Sequence, residues 1–310
     1  MSKFFVTGGA GFIGSHIVRL LLGEGHSVVV FDDLSTGSPA NIEGLDLDFV
    51  KGDIRDINAL REAVNGCDYV IHHAAEISVE KSTNEPEIVN QVNVDGTLNV
   101  LIAAKDAGVK RMTMASSSAI YGDTGDGLQD EGMLPNPISP YGASKIADEY
   151  YMSCFYNLYG FETVCLRYFN VYGERQNPNS TYAAVIPKFI SNIIRDIPLT
   201  VNGDGEQCRD FVYAGDVARA NLLACLTPGI AGQVFNIASE HPVTINDLAE
   251  TLIRVSGKTV PVVHGAPLKG DIKYSRADIT RAKNILGFAP KMTFEEGLRR
   301  TFASLSERLK

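Results

Sequence analysis

Cysteine is scarce and scattered in this chain. The five thiols, Cys67, Cys154, Cys165, Cys208 and Cys225, are odd in number, form no CxxC pair and do not cluster with histidine. That argues against a disulfide framework or a structural zinc site. Positive charge is also short: 28 Lys and Arg face 37 Asp and Glu, a formal net charge of −9. Binding to a phosphate backbone or an anionic membrane needs the opposite balance, so nucleic acid and membrane are not expected partners, and an anionic ligand must find its positive contacts locally. No apolar run reaches the roughly 18 residues of a membrane helix. The N-terminus runs directly into a glycine cluster, without the regions of a signal peptide, so a cytoplasmic location is expected. Neither an internal repeat nor a low-complexity segment occurs. His72 and His73 have no carboxylate or cysteine at ligand spacing and read as packing and hydrogen-bonding residues, so no metal is expected.

What is present is a globular composition: 310 residues, 45% hydrophobic and 21% charged, enough for a sizeable core. From Lys3 to about Tyr168, short apolar runs alternate with helical periodicity, the pattern of repeated βαβ units. Strands are expected at residues 4–7, 27–31, 69–73, 111–115 and 163–166, and helices at 13–23, 57–64, 89–107 and 141–159. Near-continuous hydrophobicity in the strands implies that both faces are covered, as in a doubly wound parallel sheet. After Tyr168 turns become frequent and the helices between them read as short. Two regions are expected: residues 1–168 as a Rossmann-type nucleotide-binding domain, and 169–310 mainly as a smaller lobe. Residues 210–225 and 233–238 read as a helix and a strand that return to the main sheet.

Thr7-Gly8-Gly9-Ala10-Gly11-Phe12-Ile13-Gly14 follows the first strand and opens the first helix. In that context Gly8 or Gly9 serves the tight turn, Gly11 the approach of backbone to a pyrophosphate, and Gly14 close packing of helix on strand. The second strand ends at Asp32, 18 residues beyond Gly14, near the interval for a carboxylate on the adenosine ribose. That carboxylate repels a 2′-phosphate and no Arg immediately follows it, which favours NAD over NADP. Asp53 reads either as a partner of the adenine amino group or as a surface turn carboxylate.

Tyr141 and Lys145 stand four apart on an expected helix and so share a face. Upstream, Ser116-Ser117-Ser118 ends an expected parallel strand, where ligands of open α/β sheets bind. A phenol, ordinarily of pKa about 10, acts as a base near neutrality when positive charge stabilises the phenolate. Lys145 can supply one such charge and an oxidised nicotinamide another.

These motifs, together with Asp32-Asp33-Leu34-Ser35-Thr36-Gly37, His72-His73-Ala74-Ala75, Val92-Asn93-Val94-Asp95-Gly96-Thr97, Ser118-Ala119-Ile120-Tyr121-Gly122, Arg167-Tyr168-Phe169-Asn170-Val171-Tyr172-Gly173 and Arg209-Asp210-Phe211-Val212-Tyr213, resemble the extended short-chain dehydrogenases/reductases, specifically the UDP-galactose 4-epimerase family. The resemblance covers essentially the whole chain. It implies NAD-dependent C4 epimerisation of a UDP-hexose through a transient 4-keto sugar. Tyr141 would be the acid/base, Lys145 would bind the nicotinamide ribose, and Ser118 would bind the sugar O4. NAD would contact Gly8, Gly11, Phe12, Ile13, Gly14, Asp32, Asp33, Ser35, Thr36, Gly37, Asp53, Ile54, Ala74, Ala75, Asn93, Ser116 and Tyr168.

The nucleotide would lie against Asn170, the backbone around Val185, Thr200, Val201, Asn202, Arg209 and Asp271. Many relatives carry arginines where this chain has Leu268 and Lys273, so the pyrophosphate would lean on Arg209 and Lys273; alternatively Lys269 and Lys273 are solvated surface lysines. Ser275 would face the sugar C2 substituent, and its small size, with the stretch from Arg175 to Ala184, resembles the UDP-N-acetylglucosamine 4-epimerase subgroup. Ala119 and Ile120 occupy the positions where 4,6-dehydratases carry an Asp-Glu pair, which disfavours elimination. A homodimer through the helices at 89–107 and 141–159 is also implied. The rival readings are a UDP-uronate 4-epimerase and a non-catalytic NAD-binding sensor or scaffold.

Overall fold

The structure, a computed structural model, describes residues 1–177, 184–267 and 272–309. Its centre is a seven-stranded parallel sheet. Strands β1 (Lys3–Thr7), β2 (Ser27–Asp32), β3 (Asp48–Lys51), β4 (Tyr69–His72), β5 (Arg111–Ser117) and β6 (Glu162–Tyr168) come from the first half of the chain. Strand alternation explains the unbroken apolar runs. Phe5, Val29 and Phe31 enter one core cluster, whereas Phe4, Val6, Val28 and Val30 enter another on the opposite face. Helices α1 (Phe12–Gly23), α2 (Ile57–Val64), α3 (Val79–Asn84), α4 (Pro86–Asn90), α5 (Gly96–Asp106) and α6 (Pro140–Tyr159) connect these strands.

The second half begins with β7 (Asn170–Tyr172), α7 (Val185–Ile194), β8 (Leu199–Asn202), β9 (Cys208–Tyr213) and α8 (Ala214–Leu226). It continues with β10 (Gln233–Ile237), β11 (Pro242–Thr244), α9 (Ile245–Ser256), β12 (Val262–Gly265), β13 (Tyr274–Ser275) and α10 (Phe294–Arg308). The main sheet runs β10-β6-β5-β4-β1-β2-β3. Strand order reverses between β1 and β4, so a crevice opens at their C-terminal ends, the usual ligand position in such sheets. A separate sheet is built on β9, flanked by β11, β13 and β7, while β8 pairs with β12.

Three expectations need correction. Residues 210–213 are the end of strand β9, not helix: the aromatic and β-branched run Phe211-Val212-Tyr213 pairs with β7. The helix begins only at Ala214. The expected helix at 89–107 is interrupted by a π-helical turn over Gln91–Asp95. The wider turn buries Asn93, which is 0% exposed, and brings it to the site described below. Helices after Tyr168 are not uniformly short, since α10 runs for 15 residues.

Candidate active site

The loop from Gly8 to Gly14 is closed by backbone contacts that leave no room for a side chain at its last position. A Cβ on Gly14 would lie 2.1 Å from the Gly8 carbonyl oxygen. Helix α1 follows the N-cap Gly11 without a side-chain cap and without acidic residues in its first turn, so its amides present a positive end available to an anion. Asp32 closes the next wall. Its Oδ2 accepts from Ala10 N at 2.9 Å and its Oδ1 from Leu34 N at 2.8 Å, which leaves each oxygen a further lone pair. Burial raises its pKa, against those two bonds. Asp33 accepts from both the amide and the hydroxyl of Ser35.

A cavity of about 270 Å³ runs along these groups, lined by Gly8, residues 11–14, Asp32, Asp33, Ser35, Thr36, Asp53, Ile54, Ala74 and Ala75. Gly37 stands behind Asp32, since a Cβ there would meet its Oδ1 at 2.8 Å. Arg55, Glu76 and Lys81 also line this cavity and had no motif to mark them. Arg55 grips Asp53 through Nε, 3.0 Å from each carboxylate oxygen, and holds that carboxyl below its ordinary pKa. Lys81 Nζ lies 2.7 Å from Glu76 Oε2. Unpaired amides, a carboxylate with open lone pairs and an elongated crevice at the switch point fit a dinucleotide.

The expected chemical residues are joined to that cavity's wall through Asn93, which bonds both Glu76 and Ser144 of the next helix, α6. Ser139 caps α6 by accepting from Gly142 N at 3.1 Å, which places Tyr141 in the first turn and Lys145 one turn later. A Cβ on Gly142 would lie 2.7 Å from the Ala119 carbonyl oxygen. Only glycine therefore lets α6 seat on the short turn Ser118–Ile120, and that seating sets Ser118 beside the start of the Tyr141 helix. Among the described residues the Tyr141 and Ser118 hydroxyls have no hydrogen-bond partner.

Asn93 ties the two regions together. It donates to Ser144 Oγ at 2.9 Å and to Glu76 O at 3.0 Å, and it accepts from Glu76 N at 2.8 Å. Lys145 is 3% exposed. Burial first, and the nearby Lys145 ammonium with it, hold His72 well below its ordinary pKa and His73 at about 4. Two expected cofactor contacts have other duties. Ser116 Oγ donates to Glu149 Oε1 at 2.5 Å, within a buried group in which Arg167 Nη2 reaches Glu149 Oε2 at 2.7 Å. The Tyr168 hydroxyl is engaged by His73 and Asn221.

A second cavity, about 390 Å³, is lined by Asn170, Val185, Thr200, Asn202 and Arg209, with Gln176, Gln207 and Phe211. Val201 turns the other way, into the core, as strand alternation requires. Ser275 is paired in register with Arg209. Lys273 is half exposed and stands 3.8 Å from Asp204, outside the cavity wall. Asp271, like Leu268 and Lys269, lies outside the described residues. No group of three or more potential metal ligands occurs among the described residues. None of the described helices is long and apolar enough to cross a membrane.

Residues 4–238 match the model of the NAD dependent epimerase/dehydratase family. A UDP-N-acetylglucosamine 4-epimerase from Methanobrevibacter ruminantium M1, solved with UDP-N-acetylmuramic acid, superposes with a TM-score of 0.95 at 40% identity, covering 99% of each chain. A UDP-glucose 4-epimerase from Thermotoga maritima, solved with UDP-glucose, gives a TM-score of 0.95 at 38% identity over 99% of this chain and 100% of that one. A UDP-glucuronate 4-epimerase of Thermodesulfobacterium geofontis is 34% identical over 97% of this chain and 95% of its own. The chain belongs to the NAD dependent epimerase/dehydratase family, and its cofactor is NAD.

Proposed function

We propose that this protein interconverts the C4 epimers of UDP-hexoses, acting both on UDP-glucose and UDP-galactose and on UDP-N-acetylglucosamine and UDP-N-acetylgalactosamine. One arrangement supports the reading: the elements that carry Ser118, Tyr141 and Lys145 are joined to the walls of both cavities. Asn93 links the Tyr141 helix to Glu76 of the first cavity, and Ser117 pairs with Tyr168, two residues before Asn170 of the second. Residues 1–168 then hold most of the cofactor site and 169–310 most of the nucleotide site.

NAD, when bound, supplies the acceptor for the hydride at C4 and returns it. Tyr141 takes the O4 proton and later gives it back. Ser118 fixes O4 by hydrogen bonding, and Lys145 supplies positive charge beside the phenol. Asn170, Val185 and Arg209 anchor the nucleotide, so the oxidised sugar is free to turn between the two half-reactions. Two copies pair through α5 and the outer face of α6, where Tyr150 and Tyr159 are each 60% exposed; a single-chain mass by light scattering would contradict this.

The sugar range rests on Ser275. Ser275 pairs in register with Arg209, which lines the second cavity, and a side chain so small would leave space for an acetamido group without excluding a hydroxyl. A pocket roomy enough for the larger substrate rejects the smaller analogue weakly, by about 1–3 kcal/mol. The test assays each UDP-sugar in parallel, uronates included. Both hexose pairs are expected to turn over. Ser275→Tyr should lose the N-acetylated pair and keep the other, whereas Arg209→Ala should raise KM for every sugar alike, as loss of a remote uniform contact does. Turnover of uronates alone would replace this reading, and unchanged N-acetylhexosamine turnover in Ser275→Tyr would remove Ser275 as the gate.

A further inference from the structure

A carboxylate that none of the motifs marks lies behind Lys145. Asp148, one turn along α6, is 0% exposed, and its Oδ2 is 3.4 Å from Lys145 Nζ. Its other oxygen, Oδ1, is buried without a hydrogen-bond partner. A buried carboxyl with an unmet oxygen is costly, so its retention asks for a reason.

Hydrogen-bond accounting shows how the surroundings treat it. Thr7 Oγ1 accepts from His73 N and from Ala74 N, each at 3.1 Å. Its own proton therefore goes to His72 Nδ1, 2.7 Å away, and His72 must carry its hydrogen on Nε2, which donates to Thr97 Oγ1 at 2.9 Å. The Thr97 hydroxyl is then left to donate, and it favours the ionised form of Asp148. A directed chain thus runs from the cofactor loop, through β4, to the Thr97 hydroxyl on α5.

The charged and titratable groups that act on Asp148 are Lys145 and Glu149 on its own helix and Cys165 on β6, while His72 on β4 faces Lys145 and Arg167 on β6 faces Glu149. Burial keeps His72 and Cys165 neutral, and Glu149 is matched by Arg167. The net electrostatic partner of Asp148 is Lys145.

We propose that Asp148 acts through its ion pair with Lys145, and that its charge offsets part of the field this ammonium exerts on Tyr141. The proposal rests on the reading of Tyr141 and Lys145 given above and adds a regulating group to that site. Burial pushes the Asp148 carboxyl up to about 7, against Lys145 and Thr97, so its charge changes in the working pH range. As pH falls through that value the offset is lost and Lys145 acts on the phenol unopposed.

The test is an ultraviolet titration of the Tyr141 phenolate in NAD-loaded protein without sugar, taken as the difference from Tyr141→Phe. In Asp148→Asn the phenolate should appear at lower pH than in the parent, by about half a unit or more. The acid limb of the kcat profile with UDP-glucose should move the same way. If the Asn variant does not fold, Asp148→Ser carries the same expectation. A variant that retains NAD and titrates with the parent overturns the proposal, because a purely structural Asp148 would leave the phenolate where it was. Failure of the underlying reading looks different: Tyr141→Phe would then still epimerise.

Discussion

Tyr141→Phe lowers turnover by about 10²–10⁴-fold, the contribution of a positioned acid/base group, and leaves both NAD retention and the KM for the UDP-sugar close to the parent. The phenol is the one ionisable group in the first turn of α6, beside the turn that holds Ser118. No other described side chain there can exchange the O4 proton: Ser118 is an alcohol, Lys145 is buried beside Asp148, and Ala119 and Ile120 carry no acid. Phenylalanine keeps the packing and removes only the hydroxyl. The substitution therefore takes away a contact used in the chemical step and not in binding, which separates kcat from KM. Parallel assays of initial rate and of bound NAD check this, and undiminished turnover would remove Tyr141 from the chemistry.

Gly14→Ala yields protein that purifies without NAD, whereas the parent carries it, because the catalytic cycle regenerates the cofactor and gains nothing by releasing it. The added methyl would sit 2.1 Å from Gly8 O and 2.8 Å from Gly9 Cα. Both are backbone atoms, so no side chain can move aside; the loop itself must shift. Its closing bonds, Gly8 N to Phe31 O at 2.9 Å and Gly11 N to Gly8 O at 3.1 Å, are strained together with the approach of α1 to β1. A stability loss of about 1–3 kcal/mol, the usual cost of forcing atoms into a filled space, accompanies the loss of cofactor. Mass analysis of the denatured protein and a thermal melt measure the two effects. A full complement of NAD with an unshifted melting temperature would show that the loop tolerates the side chain.

The parts of this molecule that could be read in advance are those whose physics is local. The loop from Gly8 to Gly14, with Asp32 at the end of β2, announces itself because a tight turn and a close backbone approach admit few residues. Tyr141 and Lys145 share a face by helical spacing alone. Strand β3 had no such signal: Asp48 and Phe49 are exposed on this edge strand, and with Val50 alone packed inward there is no apolar run to see. The π-helical turn at Gln91–Asp95 was hidden for another reason, since it answers to distant partners of Asn93 on Glu76 and Ser144. Asp148 illustrates the same limit. Its spacing from Lys145 is visible, but the line from Thr7 through His72 to Thr97 crosses two strands and a helix, and it exists only once they are packed. Residues 210–213 misled because the helical pattern of α8 extends backwards into a strand whose partner, β7, is remote in the chain.

The most direct test of the account follows the hydrogen at C4. The NAD-loaded protein is given UDP-glucose deuterated at that carbon, with no added cofactor, and the UDP-galactose formed is examined for the label. Transfer to bound NAD and back predicts that the product keeps deuterium at C4 while absorbance of reduced nicotinamide rises transiently. Product that has exchanged its label for solvent hydrogen, formed with no change in the nicotinamide spectrum, would contradict it.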